Sequence, residues 1–239
     1  TLTEPGKLVY FETPANPNMA ILDIRAIAET AHQNGALVAV DNTFASPINQ
    51  KPLELGADLV LHSATKYLGG HSDLTAGALM TSASLAKPVV AWRKNLGQLI
   101  APETAALLSR SLRTLPLRVR QHNENAMAVA QAMEQHPKIT KVHYPGLPSF
   151  EGHELAKRQM TGFGGMLSIE VKGGQQAAEK VADSLNVFLL ATSLGGVESL
   201  VSQPSATSHH GLSREERLKR GIGDGMLRLS VGLEDAADL

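Results

Sequence analysis

The stretch Asp58–Asp73, DLVLHSATKYLGGHSD, decides the fold class of this chain. Its first part, Asp58–Ser63, is a mostly apolar run, which is typical of a strand buried on both faces of a parallel sheet. Lys66 follows, between Thr65 and the apolar pair Tyr67–Leu68, and two glycines come next. A lysine in this setting is poorly explained as a solvated surface residue, so the turn after the strand is a candidate functional position.

Similar β-rich runs flank this stretch and cover residues 7–13, 36–41 and 76–81. A helix is predicted between the first two runs, from an N-cap at Asp23 to a stop at Gly35. Its apolar residues recur at helical spacing on one face; they are Ile24, Ile27, Ala28 and Ala31. This alternation of strand and helix predicts a parallel α/β sheet with right-handed crossovers, and we expect all four strands to belong to it.

The pattern changes after a helical region that is interrupted near Pro116. Strand and helix signals continue, and a long irregular stretch runs over residues 193–211. We therefore predict two domains, residues 1–115 and a smaller α+β domain of residues 116–239. We also expect the last strand to lead into the first turn of a helix that is then cut short.

The composition excludes several functional classes. The chain has 239 residues, 43% of them hydrophobic, with a net charge of −1, which suits a globular protein with a sizeable core. The chain is not basic enough for a general nucleic-acid binder. No apolar run reaches the roughly 20 residues that span a membrane. There is no cysteine for a disulfide or a thiol nucleophile. The nine histidines form no His-x-x-x-His pattern with Glu, so we predict no metal.

Polar side chains follow the ends of the first three predicted strands. They are Asn16, Asp41, and the group Ser63, Thr65 and Lys66. Ligands of an open parallel sheet bind beyond the carboxyl ends of its strands, so we expect these residues to share one crevice. A buried aspartate there needs a nearby cation. Taken singly, Asp41 can cap the next helix, Asn16 favours a turn, and the hydroxyls can satisfy loop amides.

The stretch Asp58–Asp73 resembles the pyridoxal 5′-phosphate (PLP) attachment signature of the cysteine/methionine metabolism, or transsulfuration, enzymes. Four further motifs match that family in order and spacing: ETPANPN (12–18), VAVDNTFASP (38–47), SLGGVESLVSQPSATSH (193–209) and GMLRLSVGLED (225–235). The resemblance covers essentially the whole chain. It implies the type I, aspartate-aminotransferase-like PLP fold, a mostly parallel sheet flanked by helices plus a smaller C-terminal α+β domain.

The resemblance implies PLP as the cofactor and assigns roles to the strand-end residues. Lys66 is expected to form the Schiff base with PLP and then to move protons. Asp41 is expected to pair with the pyridine nitrogen, which makes the ring an electron sink. Ser63 and Thr65 are expected to bind the phosphate, and Asn16 the ring hydroxyl oxygen.

The resemblance also implies a set of substrate-binding residues. Arg228 is expected to hold the α-carboxylate through its guanidinium, with Ser193 beside the lysine. Ser208 stands where the family usually has Thr. Glu198 could meet the amino group at the far end of cystathionine or cysteine. Taken alone, Arg228 favours a structural ion pair, and Glu198 is equally compatible with a local pairing.

The expected activity is γ-replacement or γ-elimination on a homoserine ester or cystathionine, because the Glu198 motif looks more like γ-synthases and γ-lyases than methionine γ-lyases. Alternatives are cystathionine β-lyase, methionine γ-lyase, a homoserine-ester sulfhydrylase, and a non-catalytic scaffold relative. The resemblance implies an amino-acid substrate, a cytoplasmic location and a homotetramer of two dimers that share active sites. The family's stacking Tyr and glycine turn are not found before Lys7, so we expect the N-terminal part to be absent.

Overall fold

The structure, a computed structural model, describes residues 7–239; the segment ahead of Lys7 lies outside them. The first half of this range forms a four-stranded sheet in the order β1-β2-β3-β4. Its strands are β1 (Leu8–Glu12), β2 (Leu37–Asp41), β3 (Leu59–Ser63) and β4 (Gly77–Thr81). The first three are parallel, as the sequence predicts.

The helix between β1 and β2 forms because its local signals agree. Helix α1 (Ile24–Gln33) begins at Asp23, whose side chain accepts a hydrogen bond from the backbone N–H of Ala26, as predicted. Gly35 follows its end with φ of +69°. The buried face of α1 covers β2 and β3 in one apolar core. Two short helices then lead to β3: α2 (Ser46–Asn49) and a 3-10 turn (Pro52–Leu55).

The expectation that all four strands run parallel is wrong for β4, which pairs antiparallel to β3. A parallel return needs a crossover of a dozen or more residues, usually a helix. The segment between Ser63 and Gly77 is a series of turns without a helix, so the chain folds straight back. Ser63 and Gly77 end as cross-strand partners, which places the lysine turn at this edge.

The second half contains a five-stranded sheet in the order β5-β6-β9-β8-β7. Its strands are β5 (Ile139–His143), β6 (Met166–Val171), β7 (Leu189–Leu190), β8 (Leu200–Ser202) and β9 (Met226–Ser230). All neighbours are antiparallel except β7 and β8. The sequence prediction missed β7 and β8, since runs of two or three residues have no readable period.

Helices cover this sheet and link it to the first. They are α3 (Ala83–Asn95), α4 (Pro102–Leu112), α5 (Leu115–Glu134), α6 (His153–Gln159), α7 (Gly174–Ser184) and α8 (Arg214–Lys219). The predicted interruption near Pro116 falls between α4 and α5, and the proline lies in the first turn of α5, where its missing N–H costs nothing. The α5 residues Ala126, Val129 and Ala130 pack on the second sheet, and Leu115 and Val119 pack against the lysine turn. The boundary at 115/116 stays a prediction.

No helix among residues 7–239 is long and apolar enough to cross a membrane.

Candidate active site

Lys66 lies in a tight turn directly after β3. The turn is closed by two backbone hydrogen bonds, from Gly70 N to Lys66 O (2.7 Å) and from Gly69 N to Ala64 O (2.8 Å). Lys66 is half-buried, and its Nζ donates to Ser193 Oγ at 2.7 Å. The turn therefore aims the amine across to the irregular segment before β8.

Ser193 joins the lysine to an arginine from the second sheet. Arg228, in the middle strand β9 and 8% exposed, donates from Nη2 to the carbonyl oxygen of Ser193 at 3.1 Å. Its Nη1 donates to Asn16 Oδ1 at 2.9 Å. Residues from both sheets thus meet in one hydrogen-bonded cluster of Lys66, Ser193, Arg228 and Asn16, which we call the lysine–arginine cluster.

The backbone around Ser193 is held in an unusual conformation. Ser193 has φ of +86°, a left-handed geometry that costs free energy for a residue with a Cβ. Gly195 has φ of +71°, and a Cβ there would lie 2.9 Å from the backbone nitrogen of Tyr67. The segment therefore sits directly on the lysine turn, and only glycine allows that approach.

The charge of Arg228 acts on Lys66 within the lysine–arginine cluster. Burial lowers the pKa of Lys66, and the positive charge of Arg228 lowers it further. Burial also lowers the pKa of Arg228. Within residues 7–239, neither side chain pairs with a carboxylate. The cluster consequently carries positive charge that its own protein contacts leave uncompensated.

Asp41 ends β2 and is held on both oxygens. Tyr10 Oη donates to Oδ2 at 3.2 Å, and the backbone N–H of Thr43 donates to Oδ1 at 3.0 Å. Asp41 and Ser63 line a cavity of about 380 Å³ that also includes Arg93. Asp41 and Ser63 therefore line one cavity, and no hydrogen bond or ion pair among the described residues joins Asp41 to Lys66.

A second cavity of about 750 Å³ opens beside the lysine–arginine cluster and is lined in part by Thr65, Ser193 and Glu198. Thr65 Oγ1 hydrogen-bonds the backbone of Ala76, accepting from its N–H at 3.1 Å. Ser72 donates its hydroxyl to Glu198 Oε1. Glu198 thus lines the same cavity as Ser193, the hydrogen-bond partner of Lys66.

Ser208 is a predicted site residue that forms no hydrogen bond with the lysine–arginine cluster in the described range. It is exposed, its Oγ lies 2.8 Å from His209 Nδ1, and no hydrogen bond in the described range joins it to Arg228. The neighbouring residue His209 does sense the arginine. Its pKa is lowered by burial and by the positive charges of Arg220 and Arg228.

Two residues near Asp41 were missed by sequence reasoning. Tyr10 and Thr43 fix its carboxylate, and Thr43 Oγ1 also accepts from the backbone N–H of Ser63 at 2.8 Å. The parallel register places Tyr10 opposite Ala39, two residues before Asp41 on the same face. The alternation of side chains along β1 could have indicated the face on which Tyr10 lies. The strand register that brings the tyrosine to the aspartate is known only from the fold.

A family model described as Cys/Met metabolism PLP-dependent enzyme matches residues 1–239, the whole chain. The chain belongs to this family. The chain is 49% identical over 236 residues to an L-methionine gamma-lyase of Pseudomonas deceptionensis, covering 98% of this chain and 59% of the relative. It is 49% identical over 239 residues to a cystathionine gamma-synthase of Mycobacterium tuberculosis, covering 100% of this chain and 61% of the relative.

A solved structure gives the same picture. The cystathionine gamma synthase from Xanthomonas oryzae pv. oryzae, in complex with cystathionine, superposes with a TM-score of 0.94 at 50% identity, over 98% of this chain and 60% of that chain. The predicted fold class is therefore confirmed. The chain spans about 60% of the length of these relatives.

The residues present fit PLP, the cofactor of this family. The lysine–arginine cluster offers a half-buried amine for an aldehyde and uncompensated positive charge for an anionic ligand. Asp41 offers a held carboxylate for a ring nitrogen, and hydroxyls lie at Ser63 and Thr65. In the described range, no group of three His, Asp or Glu side chains is arranged to hold a metal ion.

Proposed function

We propose that this chain carries the lysine and the carboxylate-binding arginine of a PLP-dependent enzyme that performs γ-replacement or γ-elimination on a homoserine ester or cystathionine. The observation that carries the proposal is the cluster in which Ser193 accepts a hydrogen bond from Lys66 through Oγ and from Arg228 through its carbonyl. An amine for proton transfer and a guanidinium for a carboxylate are thereby fixed next to one another.

When bound, PLP supplies an electron sink that stabilises negative charge at the substrate Cα. Asp41 would hold the ring nitrogen, with Tyr10 and Thr43 keeping its carboxylate in place. Ser63 and Thr65 would bind the phosphate through their hydroxyls. Asn16 would contact the ring oxygen, from a position that its bond to Arg228 already restrains.

Lys66 would hold the cofactor and afterwards act as general base and acid at substrate carbons. The burial and the Arg228 charge that lower its pKa increase the share of neutral amine at a given pH, and only the neutral amine accepts a proton. Ser193 Oγ, 2.7 Å from Nζ, would restrain the amine between its two tasks, removal of the Cα proton and transfer at Cβ or Cγ.

Arg228 would bind the substrate α-carboxylate. Two of its N–H groups are spent on Asn16 and Ser193, and the guanidinium has five, so others remain for a two-pronged contact. Glu198, on the cavity next to Ser193, would meet a distal ammonium group. Ser208 stays a proposed substrate residue on the family resemblance alone.

Product analysis on the full-length protein tests the reaction. Condensation of a homoserine ester with cysteine indicates a γ-synthase, and cysteine with 2-oxobutanoate from cystathionine indicates a γ-lyase. Homocysteine with pyruvate indicates the β-lyase alternative. Overall similarity does not choose, because the identities to a γ-synthase and a methionine γ-lyase are equal at 49%. Methanethiol release from methionine faster than all of these would refute our order of preference.

We also propose a cytoplasmic homotetramer built from two dimers that share active sites. The family resemblance supports this assembly and location. Light scattering of the full-length protein tests the assembly, and a monomeric mass would refute it.

A further inference from the structure

A buried arginine outside the proposed chemistry lies directly beneath the lysine turn. Arg118, in the first turns of α5, is 5% exposed. Its Nη1 donates to the carbonyl oxygen of Tyr67 at 2.7 Å, and its Nη2 to that of Ser111 at 2.9 Å. Its Nε donates to Thr114 Oγ1 at 3.1 Å. Arg118 thus joins α4, α5 and the residue that follows Lys66.

The partners of Arg118 are neutral. No Asp or Glu in residues 7–239 forms an ion pair with it, and burial lowers its pKa with no carboxylate to oppose the effect. Burying a guanidinium that contacts only carbonyl and hydroxyl oxygens costs desolvation free energy that no opposite charge offsets. A lysine could not replace it, because an ammonium lacks the planar fork that reaches separate carbonyls on two elements.

The lysine turn is shaped to receive this guanidinium. Gly70 closes the turn with φ of +68°, and a Cβ on it would lie 1.9 Å from Arg118 Nη1. A side chain at this position would displace the guanidinium. The glycine that follows the lysine motif and the arginine 48 residues later are therefore parts of one fitted contact.

The contact bears on where the amine of Lys66 points. Arg118 binds the carbonyl oxygen of Tyr67, and Gly195, which has no Cβ, lets the Ser193 segment approach the Tyr67 nitrogen. The turn is thereby held from α5 and from the Ser193 segment at the same residue. Lys66, the residue before Tyr67, forms its 2.7 Å hydrogen bond to Ser193 from this doubly contacted turn.

We propose that Arg118 is a positioning residue that fixes the turn bearing Lys66, and that Gly70 leaves the space that its guanidinium occupies. This inference rests on the proposed role of Lys66 as the cofactor lysine. Arg118 touches neither cofactor nor substrate in this proposal; it acts through the backbone of Tyr67. Because misplacement of a reacting group by about 1 Å costs up to about 10²-fold in rate, a loosened turn slows every step that uses the amine.

The test measures the reactivity of Lys66 in the full-length protein freed of cofactor. PLP is added, the adduct is fixed with borohydride at timed intervals, and the modified Lys66 peptide is quantified by mass spectrometry per folded molecule. Arg118→Lys and Gly70→Ala are both expected to slow adduct formation about tenfold or more. Arg120→Lys, an exposed position on the same helix, is the matched control and is expected to react like the parent.

Steady-state kinetics supply the second readout. Both variants are expected to lower kcat while the KM for amino-acid substrate stays within about twofold, because Arg228 binds the carboxylate from a different strand. If Arg118→Lys does not fold, Thr114→Val replaces it. That substitution, at an exposed position, removes the acceptor of Nε and the hydroxyl's own hydrogen bond to the Ser111 carbonyl oxygen, and keeps both carbonyl acceptors of Arg118. About a twofold to threefold slowing is expected.

The outcomes separate the two proposals. If the parent forms no adduct at Lys66, the proposed function fails. If the parent reacts but the variants match its rate per folded molecule, Arg118 is merely structural and the inference is overturned. Slowing by Gly70→Ala and by Arg118→Lys that does not add in the double variant supports a shared contact.

Discussion

Replacing His122 by Asn is expected to make the free energy of unfolding fall less steeply as the pH is lowered. His122, in α5, has no exposed surface. Its Nδ1 lies 2.7 Å from the carbonyl oxygen of Val231, and since a carbonyl only accepts, Nδ1 carries the proton. Nε2 has no partner among the described residues, and Tyr67 packs edge-on against the ring at 5.1 Å. A second proton would therefore place a charged N–H in an apolar site.

The magnitude follows from the pKa of this side chain. Burial, the largest cause, lowers the pKa of His122 from its ordinary 6.5 to about 4. Between these values the unfolded chain binds a proton that the folded chain refuses, so stability is present above pH 6.5 and is lost as the pH falls. The slope approaches about 1.4 kcal/mol per pH unit, and the total loss is about 3 kcal/mol at pH 4.

The assay is urea denaturation of the full-length protein at fixed concentration from pH 7 to pH 4. His122→Asn keeps a donor for Val231 and cannot titrate, so its curve is expected to be shallower by about one proton. At pH 7 it is expected to be less stable by about 1–3 kcal/mol because ring volume is lost. His136→Asn removes an exposed histidine and is the control. Parallel curves for His122→Asn and the parent would refute the reasoning.

Three further outcomes are expected in the full-length protein. Lys66→Ala should abolish the visible absorbance of lysine-bound PLP while exposed Lys87→Ala retains it. Retention in both would exclude Lys66 as the attachment point, and a parent protein without this absorbance would favour a scaffold function. Glu198→Gln should raise the KM for cystathionine and leave that for methionine unchanged, and an equal rise for both would remove its distal role. Arg228→Lys should lower kcat/KM about 10- to 100-fold through lost charge-assisted hydrogen bonds, whereas an equal loss with a substrate amine that lacks the carboxylate would contradict the clamp.

Local chemistry made parts of the fold readable from the sequence. The N-cap at Asp23 and the stop at Gly35 bound α1 as predicted because capping involves residues three or four apart. The direction of β4 was not readable in the same way. Strand propensity is the same for both directions, and the deciding feature is the lack of a crossover helix after Ser63.

The candidate site shows the same contrast: the sequence predicts which residues belong to it but not which residues they contact. Strand ends mark Asp41, Ser63 and Lys66 as site candidates, because the ends of parallel strands share one edge. The partners of those residues come from distant positions. Ser193 contacts Lys66 from 127 residues away, and Tyr10 contacts Asp41 from 31 residues away. The first contact depends on an irregular segment and the second on a strand register, and neither can be predicted from a local sequence period.

Charge shows what the protein itself leaves open at the aspartate. A buried Asp41 was expected to need a protein or ligand cation, yet its protein contacts are a phenol and an amide, and the cations Lys66 and Arg228 gather elsewhere without a carboxylate. A carboxylate and two cations that form no ion pair among the described residues are poorly explained as structural ion pairs. This arrangement is expected where a ligand with both a basic nitrogen and anionic groups completes the pairing. The unmatched charges therefore support the proposed PLP site independently of the motif.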